Sequence, residues 1–325
     1  MHAWLCETLD GVDALRWKEL PTPAPGPGEV RIAICAASLN FPDLLTVRGL
    51  YQIKPPLPFV PGSEFSGLVD AVGDGVTQFT VGQPVAAIGA SGGFGTHACV
   101  NAGFALPLPA GFDMVDAAAF AFTFGTSHHA LLDRGQLQPG ETVLVLGAAG
   151  GVGSAAVQLA KAAGARVIAA ASSDSKCAFC RTLGADETIN YTSTPLRDAL
   201  KALTAGKGPD IVYDPVGGDF AEQALRAIAW RGRYLVVGFA QGTIPSLSLN
   251  LPLLKGASLV GVYWGEYVRR EPRANAVAMT RLLQWYAEGK LRPAIDCTLP
   301  MGEIRAAYAR MASRQVQGKV VLVNA

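Results

Sequence analysis

The chain has 325 residues, enough for two domains of roughly 150 residues each, and its 27 Lys and Arg against 26 Asp and Glu leave a formal net charge of +1. Half of the residues are hydrophobic and 16% are charged, with 37 glycines and 21 prolines spread without period. This excludes a polyelectrolyte: there is no acidic tail, no basic nucleic-acid face and no charge-rich disordered body.

In chain order, three regimes follow. From residue 1 to about 120, short β-branched and apolar runs alternate with turns such as PAPGPGE and VGDGV. Strands are predicted at 29–34, 67–72, 84–88 and 96–100, the pattern of a compact antiparallel β domain. From about 123 to 264, continuous apolar runs at 142–146, 166–170, 187–190, 211–214, 233–237 and 258–262 alternate with helical segments, clearest at 152–163 and 174–183. That alternation predicts parallel strands buried on both faces. The last regime returns to the first character, with helices at 274–288 and 301–312 and strands at 293–299 and 319–323. The expected architecture is a doubly wound α/β domain inserted into a split β-rich domain, with a cleft between them.

The uncharged stretch 142–160 has 19 residues, near the length that spans a bilayer. Its glycines at 147, 150, 151 and 153 and its change of period argue against a span, because lipid leaves a turn's backbone groups unsatisfied. The other uncharged stretch, 85–112, is broken by Pro107 and Pro109, and MHAWLCETLD carries no secretory signal pattern. A soluble cytoplasmic protein with no membrane partner is expected. Six scattered cysteines do not form a disulfide framework, in keeping with a reducing compartment.

The most informative run is LVLGAAGGVGSAAVQLAKAAGARVIAAA. A strand ends, glycines follow and a helix opens, so Gly150 is expected to make the tight turn against a pyrophosphate and Gly153 to let the helix pack on the strand. The helix N-terminus adds free N–H groups and a partial positive charge. A dinucleotide site is expected. Its second strand ends in Ser172 and Ser173, with Asp174 displaced beyond, where an NAD site usually carries an acid for the ribose hydroxyls. Ser172, Ser173, Lys176 and Tyr191 offer donors and charge to a 2′-phosphate instead. The same serines also read as helix caps and Lys176 as a solvated cation. The missing acid favours NADPH.

Other chemistry is absent. His2, His97, His128 and His129 form no cluster with cysteines at zinc spacing. The CxxC of Cys177 and Cys180 falls inside a continuous helical run, where structural cysteines are expected, not a redox pair at a helix start. GASGG at 89–93 formally matches a hydrolase nucleophile elbow, but a strand and not a helix follows it.

The stretch NFPDLLTVRGLYQIKPPLPFVPGSEFSG, the AAGGVG loop, VYDPVGG and the closing GKVVLV occur in the order and spacing of a medium-chain dehydrogenase/reductase. The chain resembles the zinc-free NADPH:quinone oxidoreductase, or zeta-crystallin-like, group along essentially its whole length. The resemblance implies a GroES-like domain of residues 1–122 plus 266–325 and a Rossmann NADPH domain of residues 123–265. Where zinc-dependent relatives place catalytic ligands, this chain has Asn40, Ser63 and Phe122, and the cysteine-rich structural zinc loop is missing. Without a Lewis acid, alcohol oxidation loses its main electrostatic support, which points to reduction of electron-poor quinones or conjugated carbonyls.

The resemblance further implies Asn40, Tyr51 and Thr126 as catalytic residues, with Asn40 near the nicotinamide and substrate oxygen and Thr126 on the nicotinamide ring. It places His129 near the cofactor, Gly151 and Val152 at the pyrophosphate, and Val216, Phe239, Tyr263 and Trp264 along the remaining cofactor path. Phe239 and Trp264 read equally as core or dimer contacts. Leu45 stands where some members carry a tyrosine. A homodimer joined through sheet edges is implied, with 258–262 contributing. Two alternatives stand beside the quinone reading. One is an acryloyl- or enoyl-CoA reductase using Arg269, Arg270 and Arg273 beside Tyr267 as a docking patch. The other is an NADPH-binding sensor or structural protein with little turnover.

Overall fold

The computed structural model describes residues 1–324, which fall into two units: Met1–Phe122 joined by the chain from Ile295 onward, and Thr123–Ala294. The first unit opens with β1 (His2–Leu5), β2 (Arg16–Glu19), β3 (Glu29–Ser38), β4 (Glu64–Val72), β5 (Pro84–Ile88), β6 (His97–Asn101) and β7 (Ala105–Pro107). The second unit contributes β8 (Thr142–Leu146), β9 (Arg166–Ala171), β10 (Glu187–Asn190), β11 (Ile211–Asp214), β12 (Arg233–Val236) and β13 (Ser258–Gly261). The chain then closes the first unit with β14 (Ile295–Pro300) and β15 (Lys319–Val323).

In the first unit the main sheet runs β14-β15-β3-β4-β5-β7, with β6 also on β3. Along β3, buried and half-buried residues alternate, so Val30, Ile32 and Ile34 reach a core that also holds Phe65, Phe94 and Tyr308. Register matters for the site: Ser38 faces Glu64 on β4 and Val321 on β15. The chain leaving β3 stays beside β15, with the Leu39 N–H bonded to the Val320 carbonyl at 3.0 Å. Asn40 then precedes the helix Phe41–Thr46, its backbone N–H donating to Asp43 Oδ2 at 2.8 Å.

In the second unit six parallel strands follow the order β10-β9-β8-β11-β12-β13. This is the doubly wound arrangement, whose order reverses beside the first strand. β11 is buried along its length and β8 and β9 nearly so, as continuous apolar runs require between two helix layers. The uncharged 142–160 stretch is therefore β8, a turn and most of the helix Gly151–Ala162. Among the described residues, no helix is long and apolar enough to cross a membrane.

The return to the first unit comes at Ile295 and not at 266. The helices Trp264–Arg270 and Pro272–Ala287 stay with the second unit because their side chains are tied into it. The Trp264 indole is 4% exposed, bonds Asn275 Oδ1 and covers Gly125. Farther along, the Gln158 side chain exchanges two hydrogen bonds with the backbone of Arg292, both at 2.8 Å. Cys177 and Cys180 are free and buried on the helix Asp174–Thr182, and burial pushes the Cys180 thiol up to about 12. A thiol held protonated in this way is inert to exchange.

A Cβ at Gly125 would lie 2.4 Å from the buried Trp264 ring, which has no flexible end to move aside. Gly125→Ala is expected to cost ~1–3 kcal/mol by overpacking. Urea denaturation should show a lower midpoint with an unchanged slope.

Candidate functional site

In the second unit the site is built on the turn after β8. Gly147 takes φ +57°, the left-handed conformation that glycine tolerates. Gly150 has an ordinary φ of −80°. The tight turn after β8 runs from Gly147 to Gly150, closed by the Gly150 N–H on the Gly147 carbonyl at 2.9 Å, and its left-handed residue is Gly147. A Cβ on Gly150 would meet nothing closer than the Gly147 carbonyl, at 3.4 Å, which leaves this part of the loop surface open. Gly153 has no such room: its Cβ would sit 2.3 Å from that carbonyl. The helix Gly151–Ala162 starts without a side-chain cap, so the N–H groups of Gly151 and Val152 in its first turn are of the kind an anion satisfies.

The neighbouring helix Ala121–His128 is fastened to this loop by Ser127, whose hydroxyl bonds the Val152 carbonyl and the Tyr213 hydroxyl, each at 3.1 Å. Buried Thr126 precedes it. His129 follows at the start of a π-helical turn, a distortion frequent at functional sites. Its Nδ1 lies 2.7 Å from the Asp133 carboxylate and its ring stacks on Tyr267 at 4.1 Å. Burial lowers the His129 pKa despite the opposing pull of Asp133, favouring a neutral ring.

At the end of β9, Ser173 caps the next helix by accepting from the Lys176 N–H, while the Lys176 ammonium reaches back to the Ser172 hydroxyl at 3.4 Å. Asp174 is turned to Asn190, whose amide it accepts at 2.8 Å. Both sequence readings of the serines thus have a place: Ser173 is a cap, and Ser172 lies with Lys176 beside the strand end. Tyr191 stacks at 4.4 Å on Phe220. After β11, Asp214 accepts the N–H groups of Val216 and Gly217 at 2.8 Å and the Tyr234 hydroxyl, holding the VGG turn. Val216 packs over Gly147 and Phe239 over Gly217. Tyr263 is half exposed beside the buried Trp264. Arg269 and Arg270 both pair with Glu266, holding its carboxyl down to about 2, and both stay exposed.

In the first unit, Asn40 lies at the centre of a buried polar cluster. Fully buried Glu64 receives the Phe122 N–H at 2.7 Å on Oε1. On Oε2 it receives Ser38 Oγ at 2.7 Å, Asn40 Nδ2 at 3.1 Å and Lys319 Nζ at 3.2 Å. Lys319 also donates to Asn40 Oδ1 at 2.6 Å. Burial pushes the neighbouring Asp43 carboxyl up to about 6, against the downward pull of the Asn40 N–H, the Ser63 hydroxyl and Lys319. Tyr51 is half-buried in the loop after the helix Phe41–Thr46.

Ser38, Glu64, Lys319 and Asp214 join the site without having been expected from the sequence. The available signals are a charged residue opening an apolar strand, in SEFSG and in GKVVLV, and the Asp of VYDPVGG.

Residues 26–110 match the alcohol dehydrogenase GroES-like domain and residues 151–281 the zinc-binding dehydrogenase domain. The chain is 39% identical over 300 residues to a quinone oxidoreductase-like protein 2 homolog of Nematostella vectensis, covering 91% of this chain and 82% of that protein. Among solved structures, a quinone oxidoreductase of Pseudomonas syringae pv. tomato superposes with a TM-score of 0.93 at 32% identity over 99% of each chain. The quinone oxidoreductase of Thermus thermophilus, described with its complex with NADPH, superposes at 0.86 and 36% identity over 99% of this chain and 100% of that one. The fold is the GroES-like β unit with a Rossmann-type α/β unit.

The match to the zinc-binding dehydrogenase domain raises the question of a metal. Asn40, Ser63 and Phe122 supply an amide, a hydroxyl and a hydrocarbon ring. Among the described residues, no group of three or more His, Cys, Asp or Glu is arranged to hold one. These donors do not fit zinc.

Asp43 titrates near 6 in the folded chain against 3.8 in its reference state, so the native state binds the proton more tightly. Its stabilising contribution is complete below about pH 4 and is lost as pH rises through 6. Between about pH 4.5 and 7.5, wild type is expected to lose about 2 kcal/mol relative to Asp43→Asn in urea denaturation. Parallel pH profiles would remove Asp43 as the titrating group.

Proposed function

The chain belongs to the quinone oxidoreductase-like group of the medium-chain dehydrogenase/reductase superfamily, and from that premise we propose that it reduces quinones and related α,β-unsaturated carbonyls with NADPH. It is an oxidoreductase of that type, with the superfamily's nucleotide-binding domain for NAD(P)H. The observation that carries the choice of NADPH is the end of β9, where Ser172 and Lys176 converge and the nearest acid is held by Asn190. A cation and a hydroxyl there suit a 2′-phosphate, whereas a ribose diol is ordinarily met by a carboxylate. The Thermus relative, described in complex with NADPH, supports the same reading.

In this reading the first-turn N–H groups of Gly151 and Val152 bind the pyrophosphate, and Gly150 leaves the loop surface open to it. Ser172, Lys176 and Tyr191 bind the 2′-phosphate, with Ser173 holding the helix that carries Lys176. Thr126 and His129 orient the nicotinamide half, and Val216, Phe239, Tyr263 and the Trp264 segment line the rest. The chemistry supplied by NADPH, when bound, is a hydride. Asn40 donates from Nδ2 to the acceptor oxygen as negative charge builds on it, the preorganised stabilisation that a charge-developing step requires. The Tyr51 hydroxyl or solvent returns the proton. Because zinc donors are missing, an acceptor that is already electron-poor suits this site best.

The protein is further read as a cytoplasmic homodimer. β13 is an edge strand, and Leu259, Leu249, Leu253 and Leu254 are exposed in and near it. An exposed apolar edge invites pairing with a second copy. Light scattering should report twice the chain mass, and Leu253→Asp should yield monomer.

Anaerobic mixing with NADPH and 1,4-benzoquinone or an enone should oxidise the cofactor, and no turnover with either class would overturn the proposal. Asn40→Ala is expected to lower kcat/KM for the quinone by ~10²-fold. Lys176→Ala should raise the KM for NADPH by about 10-fold or more while leaving that for NADH unchanged. Equal effects on both cofactors would contradict a 2′-phosphate contact.

A further inference from the structure

An asparagine amide has two chemically opposite ends of nearly equal shape, and which one it turns to a substrate depends on its neighbours. Around Asn40 the neighbours leave one answer. The Lys319 ammonium, which can only donate, is 2.6 Å from Oδ1. The Glu64 carboxylate, which accepts, is 3.1 Å from Nδ2. Flipping the amide would set Nδ2 against an ammonium and Oδ1 against a carboxylate, both repulsive in a site where Asn40 is 5% exposed, Lys319 4% and Glu64 fully buried.

We infer that Lys319 is a positioning residue for Asn40: with Glu64 it locks the amide so that only an N–H, never the carbonyl, is presented to the substrate. One Nδ2 hydrogen is committed to Glu64, and the second is the one available to a ligand. The site therefore selects a substrate atom that accepts and gains negative charge, a carbonyl or quinone oxygen, over a hydroxyl that must donate. The ammonium beside Oδ1 also draws electron density from the amide and strengthens the remaining N–H as a donor. Glu64 also accepts from Ser38 and the Phe122 N–H, which hold the carboxylate in place beside the amide. The inference rests on Asn40 as the donor proposed above.

The test is a mutant cycle over Lys319→Met, Asn40→Ala and their combination, followed by quinone turnover, NADPH affinity from cofactor fluorescence, and titration with 4-nitrophenol. The ionised oxygen of this unreactive probe mimics the charged acceptor, and its absorbance reports ionisation. Lys319→Met is expected to lower kcat for 1,4-benzoquinone ~10- to 100-fold with NADPH affinity within about 2-fold of wild type. It should also abolish the yellow bound nitrophenolate, and the double variant should be no slower than Asn40→Ala alone. Should Lys319→Met not fold, Lys319→Met/Glu64→Gln removes both charges at similar volume and is expected to give the same losses. Wild-type kcat and probe ionisation in either variant, or losses that add in full to those of Asn40→Ala, would overturn the role of Lys319. Full activity in Asn40→Ala would instead overturn the reading of Asn40 itself, so the two failures are distinguishable.

Discussion

Glu64 is the constraint on which the first unit depends. A carboxylate with no exposed surface costs several kcal/mol in desolvation unless its lone pairs are filled. Here four donors reach it, three on one oxygen and one on the other, and each comes from a different place in the chain: the end of β3, the residue capping the following helix, the start of β15 and the last residue of the unit's N-terminal segment. The sheet order makes this possible, because β3 lies between β4 and β15 and brings Ser38 opposite both. Structural closure and the orientation of Asn40 are thus one event. The chain cannot dock β15 in register without also placing an ammonium against the amide.

The second unit works by a different economy. Its site uses few charged side chains and relies on what the backbone offers once side chains are removed. Gly147 turns the chain, Gly153 lets the helix rest on the strand end, and the uncapped helix start supplies N–H groups. Asp214 then anchors the facing turn with two backbone bonds, so Val216 lies on the glycine loop as a fixed wall. Ser127 ties the helix carrying Thr126 and His129 to the same loop. Rigid backbone donors suit a phosphate, which needs orientation more than specific side-chain chemistry.

Much of this is legible in the residues. The parallel strands at 142–146, 187–190 and 211–214 coincide with the runs read from apolar continuity, since short buried strands leave little choice of ends. Less legible are the segments whose fate is decided by packing. The helices between 264 and 287 lie in the second unit, whereas the sequence places most of them in the first, because an amphipathic pattern says that a face is buried, not which core receives it. Trp264 finds its place only because Gly125, far upstream, has no side chain. Gly150 and Gly147 cannot be ranked from spacing, because φ depends on how the strand exits. The arginines near Tyr267 read as a patch, yet Glu266 sits one helical turn before Arg269 and Arg270 and pairs with both, offsetting one of their two charges.

Local rules, then, determined the element types, the nucleotide loop and the absence of an acid at the very end of β9, because each is set by neighbours within about one turn or one strand. Tertiary structure alone decided the ionised cluster around Asn40. Lys319 lies 255 positions from Glu64 in the chain, and nothing near either residue announces the other. The physical reason is that the energy of a charge depends on the solvent and partners around it, and those exist only once the sheet has formed.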